Sequence, residues 1–230
     1  RLRLAQRPSA ISMARRPTML KSAIEIAVDD GITTISINRP NARNALDVRS
    51  ARELHAAFIG FDQDDSSAVA VLHGQHGNFC AGADLKEVAT GAVYDAWAGS
   101  LTGMLGAPLS KPIIAAVEGH AVAGGLGIAL YCDIRVADET AMFGVYCRRF
   151  GVPMSDGTTV RLPRLIGESR AMNMMLTGRG VDAREALHIG LVSAVAAPNE
   201  ALATATAMAR DIARFPQLAM RSDRRSLLES

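Results

Sequence analysis

Lys111-Pro112-Ile113-Ile114-Ala115-Ala116-Val117-Glu118-Gly119-His120-Ala121-Val122-Ala123-Gly124-Gly125 is the stretch whose reading decides the fold. Its apolar run, 113–117, reads as a short strand buried on both faces. The run stops at Glu118, and small residues continue to Gly127. Glycines at such a turn let backbone amides come close to a ligand. A helix starting near Gly124 would add unpaired N–H donors and the positive end of its dipole. Three uses fit this segment alone: an amide site for an anionic oxygen, a dinucleotide-binding turn, or tight helix–strand packing. The dinucleotide fingerprint needs a second glycine where Ala121 stands, and it normally opens a domain.

A second segment of small residues stands in the same relation to a strand further upstream. Residues 68–72 read as a buried strand, and Asn78-Phe79-Cys80-Ala81-Gly82-Ala83-Asp84-Leu85-Lys86-Glu87 follows it. Two amides from separate loops, converging on one point, would make an oxyanion hole, with donors aimed at a carbonyl oxygen as it gains charge. Before these, Ile24, Ile26 and Val28 alternate, Asp29-Asp30-Gly31 gives a turn, and 32–37 is extended again, which is a hairpin pattern. Asn38-Arg39-Pro40-Asn41 ends it. Ala51, Leu54, Phe58 and Phe61 recur at helical spacing and predict an amphipathic helix over 47–62. The Ala/Gly-rich stretch 86–108, with Tyr94 and Trp97, reads as a loose helix or a mobile lid.

Residues 134–137 form another candidate strand. Beyond Gly157 the pattern turns helical, over 158–166, 168–176 and 182–189, the last opening at an acidic cap. A small strand over 191–195 and a helix over 198–214, with proline at its start, complete the pattern. Strand-plus-helix units followed by helices predict an α/β core with a helical C-terminal part. The boundaries expected are a basic tail over 1–20, a core over 21–195, and an incomplete helical region over 196–230.

Composition narrows the function classes. Hydrophobic residues make up 49% of the 230 and charged ones 21%, the balance of a globular domain with one sizeable core. A net charge of +2 with only 4% aromatics offers no basic stripe interleaved with stacking rings, which argues against nucleic acid as the partner. No apolar run reaches transmembrane length. Cys80, Cys132 and Cys147 are odd in number and widely spaced, which argues against a disulfide framework or a zinc site and for the cytoplasm. Arg1, Arg3, Arg7, Arg15 and Arg16 lie with Ser9 and Ser12 ahead of the first acid, Glu25. That composition reads as a tail before a start at Met13 or Met19. It overlaps with a mitochondrial transit peptide, which gives the alternative location.

In their order and spacing, NRPxxxNAL (Asn38 to Leu46), FCAGADLKE (Phe79 to Glu87), KPIIAAVEGHAVAGG (Lys111 to Gly125), CDIRVAD (Cys132 to Asp138) and TGRxxDAREALxxGLV (Thr177 to Val192) resemble the crotonase superfamily, the enoyl-CoA hydratase/isomerase family. The resemblance covers about residues 21–215. It implies an α/β fold, a crotonase-like spiral of ββα units, with a helical C-terminal region that drives trimerisation, often as a dimer of trimers. It also implies an acyl-CoA thioester as substrate, with coenzyme A entering as part of it and no bound cofactor or metal. Carried over, the oxyanion donors fall on the backbone N–H groups of Ala83 and Gly124. The adenine and phosphates of CoA fall around the NAL turn and the AGAD loop, and the candidates for binding substrate or CoA are Arg43, Ala81, Gly82, Asp84, Leu85, Lys86, Gly125 and Cys147. Arg43 and Lys86 are phosphate contacts on this reading and solvated charges on the plainer one.

The pattern breaks where the resemblance implies acid–base chemistry. Hydratases of this family use two glutamates, and their positions here are Gly127 and Cys147. Neither is a carboxylate, so two-glutamate hydration is not expected. Asp156, near the place where some relatives carry an active-site aspartate, could move a proton on an enolate or act as a nucleophile. It could also cap the helix that begins at Gly157, and the two roles are compatible. Cys147 reads as a buried filler or a nucleophile, and Tyr146 as a packing residue or a donor. Arg148 and Arg149 read as partners of a substrate carboxylate, of a CoA phosphate, or of another subunit. His120 reads as structural, Asp84 and Asp133 as loop and helix-end hydrogen-bonding groups, and Glu118 as an acid facing away. The expected function is isomerase-like or other single-carboxylate chemistry on an acyl-CoA. The alternative is a non-catalytic acyl-CoA-binding, or RNA-binding, protein of the same fold.

Overall fold

The computed structural model describes residues 22–92 and 103–230. The basic tail, and Tyr94 and Trp97 with their neighbours, lie outside the described residues. Strands β1 (Ile24–Asp29) and β2 (Ile32–Ile37) form the expected hairpin, turning through Asp30 and Gly31, both at positive φ. Helix α1 (Val48–Gln63) follows, capped by Asp47, whose carboxylate accepts from the Ser50 amide at 2.7 Å. Its buried face carries Ala51, Leu54, Ala57, Phe58 and Phe61, as the spacing predicts. Each large side chain so buried contributes about 1.5–3 kcal/mol.

The hairpin continues into a parallel array of β3 (Val69–Gly74), β4 (Ile113–Val117), β6 (Ile134–Asp138) and β9 (Ala194–Ala196), in the order β1-β2-β3-β4-β6-β9. A smaller sheet, β5-β7-β8, is made from β5 (His120–Val122), β7 (Met142–Gly144) and β8 (Gly180–Asp182). Strand pairs followed by a helix recur along the chain. β1-β2 leads to α1, and β4-β5 leads to α3 (Gly124–Tyr131). β6-β7 leads through a 3-10 turn (Tyr146–Phe150) to α4 (Thr158–Ile166). In the second and third units the pair divides, one strand joining each sheet. The chain must therefore bend between them, at Glu118-Gly119 and at Glu139–Ala141.

The main sheet is covered on two faces. One carries Ile35, Leu72, Ala115 and Val117 against α1 and α3, and the other carries Val69, Val71, Ile114 and Val136 against Ala201, Ala205 and Ala209 of α7 (Ala201–Ala213). Double coverage explains why β3 and β4 read as unbroken apolar runs. Helices α5 (Glu168–Thr177), α6 (Ala183–His188) and α8 (Gln217–Glu229) complete the described chain, with a one-turn α2 at Leu85–Val88. None of the helices among the described residues is long and apolar enough to cross a membrane.

Three local readings shift. The short β5, β7 and β8 were not anticipated, because three residues carry no periodicity. The helix expected from Pro198 begins at Ala201, after Asn199 turns through φ 65°. Ile26 and Val28 alternate with polar neighbours but stay exposed, because β1 is an edge strand buried only at Ile24.

Candidate active site

A cavity of about 810 Å³ opens where four segments meet: the turn at 41–45, the loop at 81–88, the bend at 120–124 and the segment 146–156. The first two are locked together by the residues of the NRPxxxNAL motif. Asn44 is fully buried; its amide donates to the Gln75 and Asn78 carbonyls at 2.8 and 2.6 Å, while its oxygen accepts from the Arg39 amide. The Arg39 guanidinium bridges Asp47, at 2.7 Å, and Asp84, at 3.3 Å, and donates to the Ala45 carbonyl. The turn thereby pairs with the loop as a short parallel bridge. The Leu46 amide donates to the Gly82 carbonyl and the Asp84 amide to the Leu46 carbonyl, both at 2.8 Å. Because both neighbours of Ala83 are paired to Leu46 on one side, the Ala83 N–H is turned to the other. It donates to no backbone acceptor among the described residues.

The Gly124 amide is left open in a different way. It is the first residue of α3, where N–H groups have no intrahelical partner. Ala123 before it adopts φ 51°, ψ −127°, a strained conformation for a residue with a side chain, and its own amide is tied to the Gly144 carbonyl at 2.9 Å. Gly82 and Gly125 let these pieces approach. A Cβ at Gly82, which sits at φ +93°, would lie 2.8 Å from the Gly124 nitrogen, covering that amide. A Cβ at Gly125 would lie 1.9 Å from the Cys80 carbonyl oxygen, so α3 could not pack against the first loop. Burial pushes the Cys80 thiol up to about 12, so it stays protonated beneath the loop.

The segment 146–156 brings the acid. Asp156 is 5% exposed and lines the cavity. Its Oδ1 accepts from the Thr158 amide at 3.0 Å, from one residue ahead of the N-cap position, which Gly157 takes, while Oδ2 accepts no hydrogen bond among the described residues. The Thr158 hydroxyl, also buried, lies near the carboxyl without meeting hydrogen-bond geometry, so the amide is the contact that fixes it. Oδ2 lies over Gly127: a Cβ there would be 2.3 Å from Oδ2 and 2.4 Å from Cγ. The bare backbone of α3 at Gly127 is what admits this carboxylate. Burial raises the Asp156 pKa, and the contacts with Thr158 partly offset the rise.

Cys147 sits nearby with its Sγ 2.9 Å from the Met154 Sδ. Burial, and after it the Asp156 charge, pushes its thiol up despite the opposing effect of Arg148. A protonated thiol packed on a thioether is a weak nucleophile. Tyr146 lies flat over Gly144, and the Arg149 guanidinium stacks on the Tyr146 ring at 3.7 Å. His120 also lines the cavity, with its Nδ1 3.1 Å from Asn78 Oδ1.

Of the residues singled out in the sequence, Arg43, Ala81, Ala83, Asp84, Leu85, Lys86, Gly124, Cys147 and Asp156 line one cavity. Gly82 and Gly125 are not among its lining residues. Asp84 caps α2 through the Lys86 amide. Asp133 accepts from the Ile113 amide and from Arg224 of α8. Glu118 is absent from the cavity wall, and burial raises its pKa. Sequence reasoning missed the strained Ala123, because alanine gives no signal of positive φ. It also missed the contact of Gly127 with Asp156, which joins two elements distant in sequence.

Two sheets linked by recurrent ββα units, with small-residue loops meeting over an apolar cavity, define a protein of the crotonase superfamily. Residues 27–228 match the sequence model of the family "Enoyl-CoA hydratase/isomerase". A probable enoyl-CoA hydratase of Rhizobium meliloti (strain 1021) is 44% identical over 186 residues, covering 79% of this chain and 71% of that protein. A probable mitochondrial enoyl-CoA hydratase of Dictyostelium discoideum is 39% identical over 186 residues, covering 80% of this chain and 67% of that protein. The crystal structure of enoyl-CoA hydratase from Mycobacterium tuberculosis H37Rv superposes with a TM-score of 0.87 at 38% identity, over 91% of this chain and 83% of that one. The chain belongs to the enoyl-CoA hydratase/isomerase family and is an enzyme of that type.

Proposed function

We propose that the enzyme holds the thioester carbonyl of an enoyl-CoA or related acyl-CoA between the Ala83 and Gly124 amides and moves a proton with Asp156 as its single carboxylate. The observation that carries this reading is the free Oδ2 of Asp156 over Gly127, the position that the family resemblance gives to the first hydratase glutamate. The ionised carboxylate removes the α-proton of a 3-enoyl thioester, or in the reverse direction the γ-proton of a 2-enoyl one. The two amides stabilise the dienolate oxygen, and the same carboxyl returns the proton to the other of these two carbons. The double bond moves and nothing is consumed. Preorganised amide donors contribute about 10²–10³-fold each, and a positioned base about 10²–10⁴-fold. A carboxyl whose pKa is raised by burial is a stronger base once ionised. Two-glutamate hydration is disfavoured, because Gly127 has no side chain and the Cys147 thiol is held protonated.

Coenzyme A enters as part of the substrate, and Arg43 and Lys86 stand where its phosphates would pass. Assembly as a homotrimer or a dimer of trimers belongs to the same reading; exposed Leu176 on α5, Phe215 between α7 and α8, and Leu218 and Leu227 on α8 support it. A second reading, acyl-CoA binding without turnover, is favoured by one observation: Asp156 Oδ1 already accepts from the Thr158 amide at the start of α4.

A panel of acyl-CoA thioesters, run with the wild type and with Asp156→Ala beside a CoA-thioester binding assay, separates the two. The expected result is turnover of an enoyl-CoA that falls about 10²–10⁴-fold in Asp156→Ala while binding persists. Tight binding without turnover across the panel would establish the second reading.

A further inference from the structure

We infer that Arg149 is a specificity residue for an acyl group that itself carries a carboxylate, so that the preferred substrate is the CoA monothioester of a dicarboxylic acid. The inference rests on the acyl-CoA reading and names its substrate class. Arg149 lines the cavity on the wall formed by 146–156, the same wall that carries Cys147 and Asp156. Arg43 and Lys86 belong to other walls, formed by the turn at 41–45 and the loop at 81–88. The Arg149 cation therefore stands with the residues assigned to the acyl group and not with those assigned to the CoA phosphates.

The arginine is held in place by construction. Gly144 and Gly180 have no side chains, and Tyr146 uses both spaces. A Cβ at Gly144 would meet the ring at 2.4 Å, and one at Gly180 would meet the phenol oxygen at 2.8 Å. The ring so seated carries the guanidinium 3.7 Å above its centroid, and one Arg149 nitrogen donates to the Gly178 carbonyl at 3.3 Å. Stacking and a single carbonyl contact fix the plane of the guanidinium but leave most of its five donors unused. Some arginines of the fold are paired with acids: Arg39 with Asp47 and Asp84, Arg179 with Glu185, and Arg224 with Asp133. Arg135, Arg148 and Arg161 donate to carbonyls and are not among the cavity's lining residues. Arg149 makes no ion pair among the described residues. An exposed planar fork among the cavity's lining residues, with no acid partner among the described residues, is suited to a carboxylate, which it can hold through two parallel hydrogen bonds.

The test compares (E)-4-carboxybut-2-enoyl-CoA with neutral (E)-hex-2-enoyl-CoA, measuring binding and KM for the wild type, Arg149→Gln and Arg149→Lys. The expected result is wild-type preference for the carboxylated thioester. Arg149→Gln should weaken it about 10- to 100-fold while changing the neutral thioester less than about twofold. Arg149→Lys should restore part of the loss. Equal weakening of both thioesters would place Arg149 on the CoA phosphates and overturn the inference. So would an unchanged preference in Arg149→Gln, or a wild type that binds the two alike; each leaves the acyl-CoA reading standing. A wild type that binds neither thioester would overturn the acyl-CoA reading and this inference together.

Discussion

The amide half of the cavity is main chain, held by main chain, whereas the acid half is one side chain that has come to lie against another element's bare backbone. On the proposed reading the functional atoms around Ala83 and Gly124 are N–H groups. What the sequence must supply there is room: glycine at 82 and 125, and a buried Asn44 to tie the turn to the loop. On the same reading the functional atom near Gly127 is Asp156 Oδ2, which lies in a space that α3 leaves empty. A backbone site has to recur in the same order along a chain, because it is inseparable from the strands and helix that shape it. A carboxylate can be supplied from any element that reaches the same point, so its position in sequence is free to change while its position in space is kept.

Adding a methyl group on the amide side should give the larger effect. Gly82→Ala sets a Cβ 2.8 Å from the Gly124 nitrogen, at a φ of +93° that alanine resists. It should lower kcat by about 10²–10³-fold, as loss of one oxyanion donor does, and lower stability by about 1–3 kcal/mol. Steady-state kinetics together with a thermal melt would check both; unchanged kcat in a folded variant would remove Gly124 from the oxygen-binding role.

On the acid side the smaller and opposite effect concerns stability. The folded-state pKa of Asp156 lies above the ordinary carboxylate value of 3.8. The native state therefore holds the proton more readily than the unfolded chain. The resulting stabilisation is present below pH 3.8 and is lost as the pH rises through the raised value, so the ionised carboxylate weakens the fold at neutral pH. Asp156→Asn retains an acceptor for the Thr158 amide and removes the buried charge. At pH 7 it should be more stable than the wild type by about 0.5–2 kcal/mol while losing turnover. Denaturant melts at pH 7 that show Asp156→Asn weaker than the wild type would mean that the charge is compensated by a partner.

The sequence marked two loops, one after the run at 113–117 and one in the segment 78–87 behind a second strand, and both loops line the one cavity. Periodicity placed α1 and α4, since both bury one face. What stayed hidden had no local signature. β5, β7 and β8 are three residues each and exist only through pairing. The strain at Ala123 is imposed by the bend between β5 and α3, not by its residue type. Gly127 and Cys147 stand, on the family resemblance alone, where the two hydratase glutamates are expected. That Asp156 stands in the space left by Gly127 is a fact of packing between α3 and the start of α4, which no single-chain pattern encodes.

The most direct measurement is exchange of the α-proton of a bound acyl-CoA in D₂O, followed by NMR for the wild type, Asp156→Asn and Gly127→Ala. The Gly127→Ala variant leaves every carboxylate in the sequence and displaces the Asp156 side chain, whose Oδ2, Cγ and Cβ lie 2.3, 2.4 and 2.9 Å from the added Cβ. The account predicts exchange in the wild type and a loss of about 10²–10⁴-fold in both variants with the thioester still bound. Undiminished exchange in either variant would mean that the carboxylate over Gly127 is not the base.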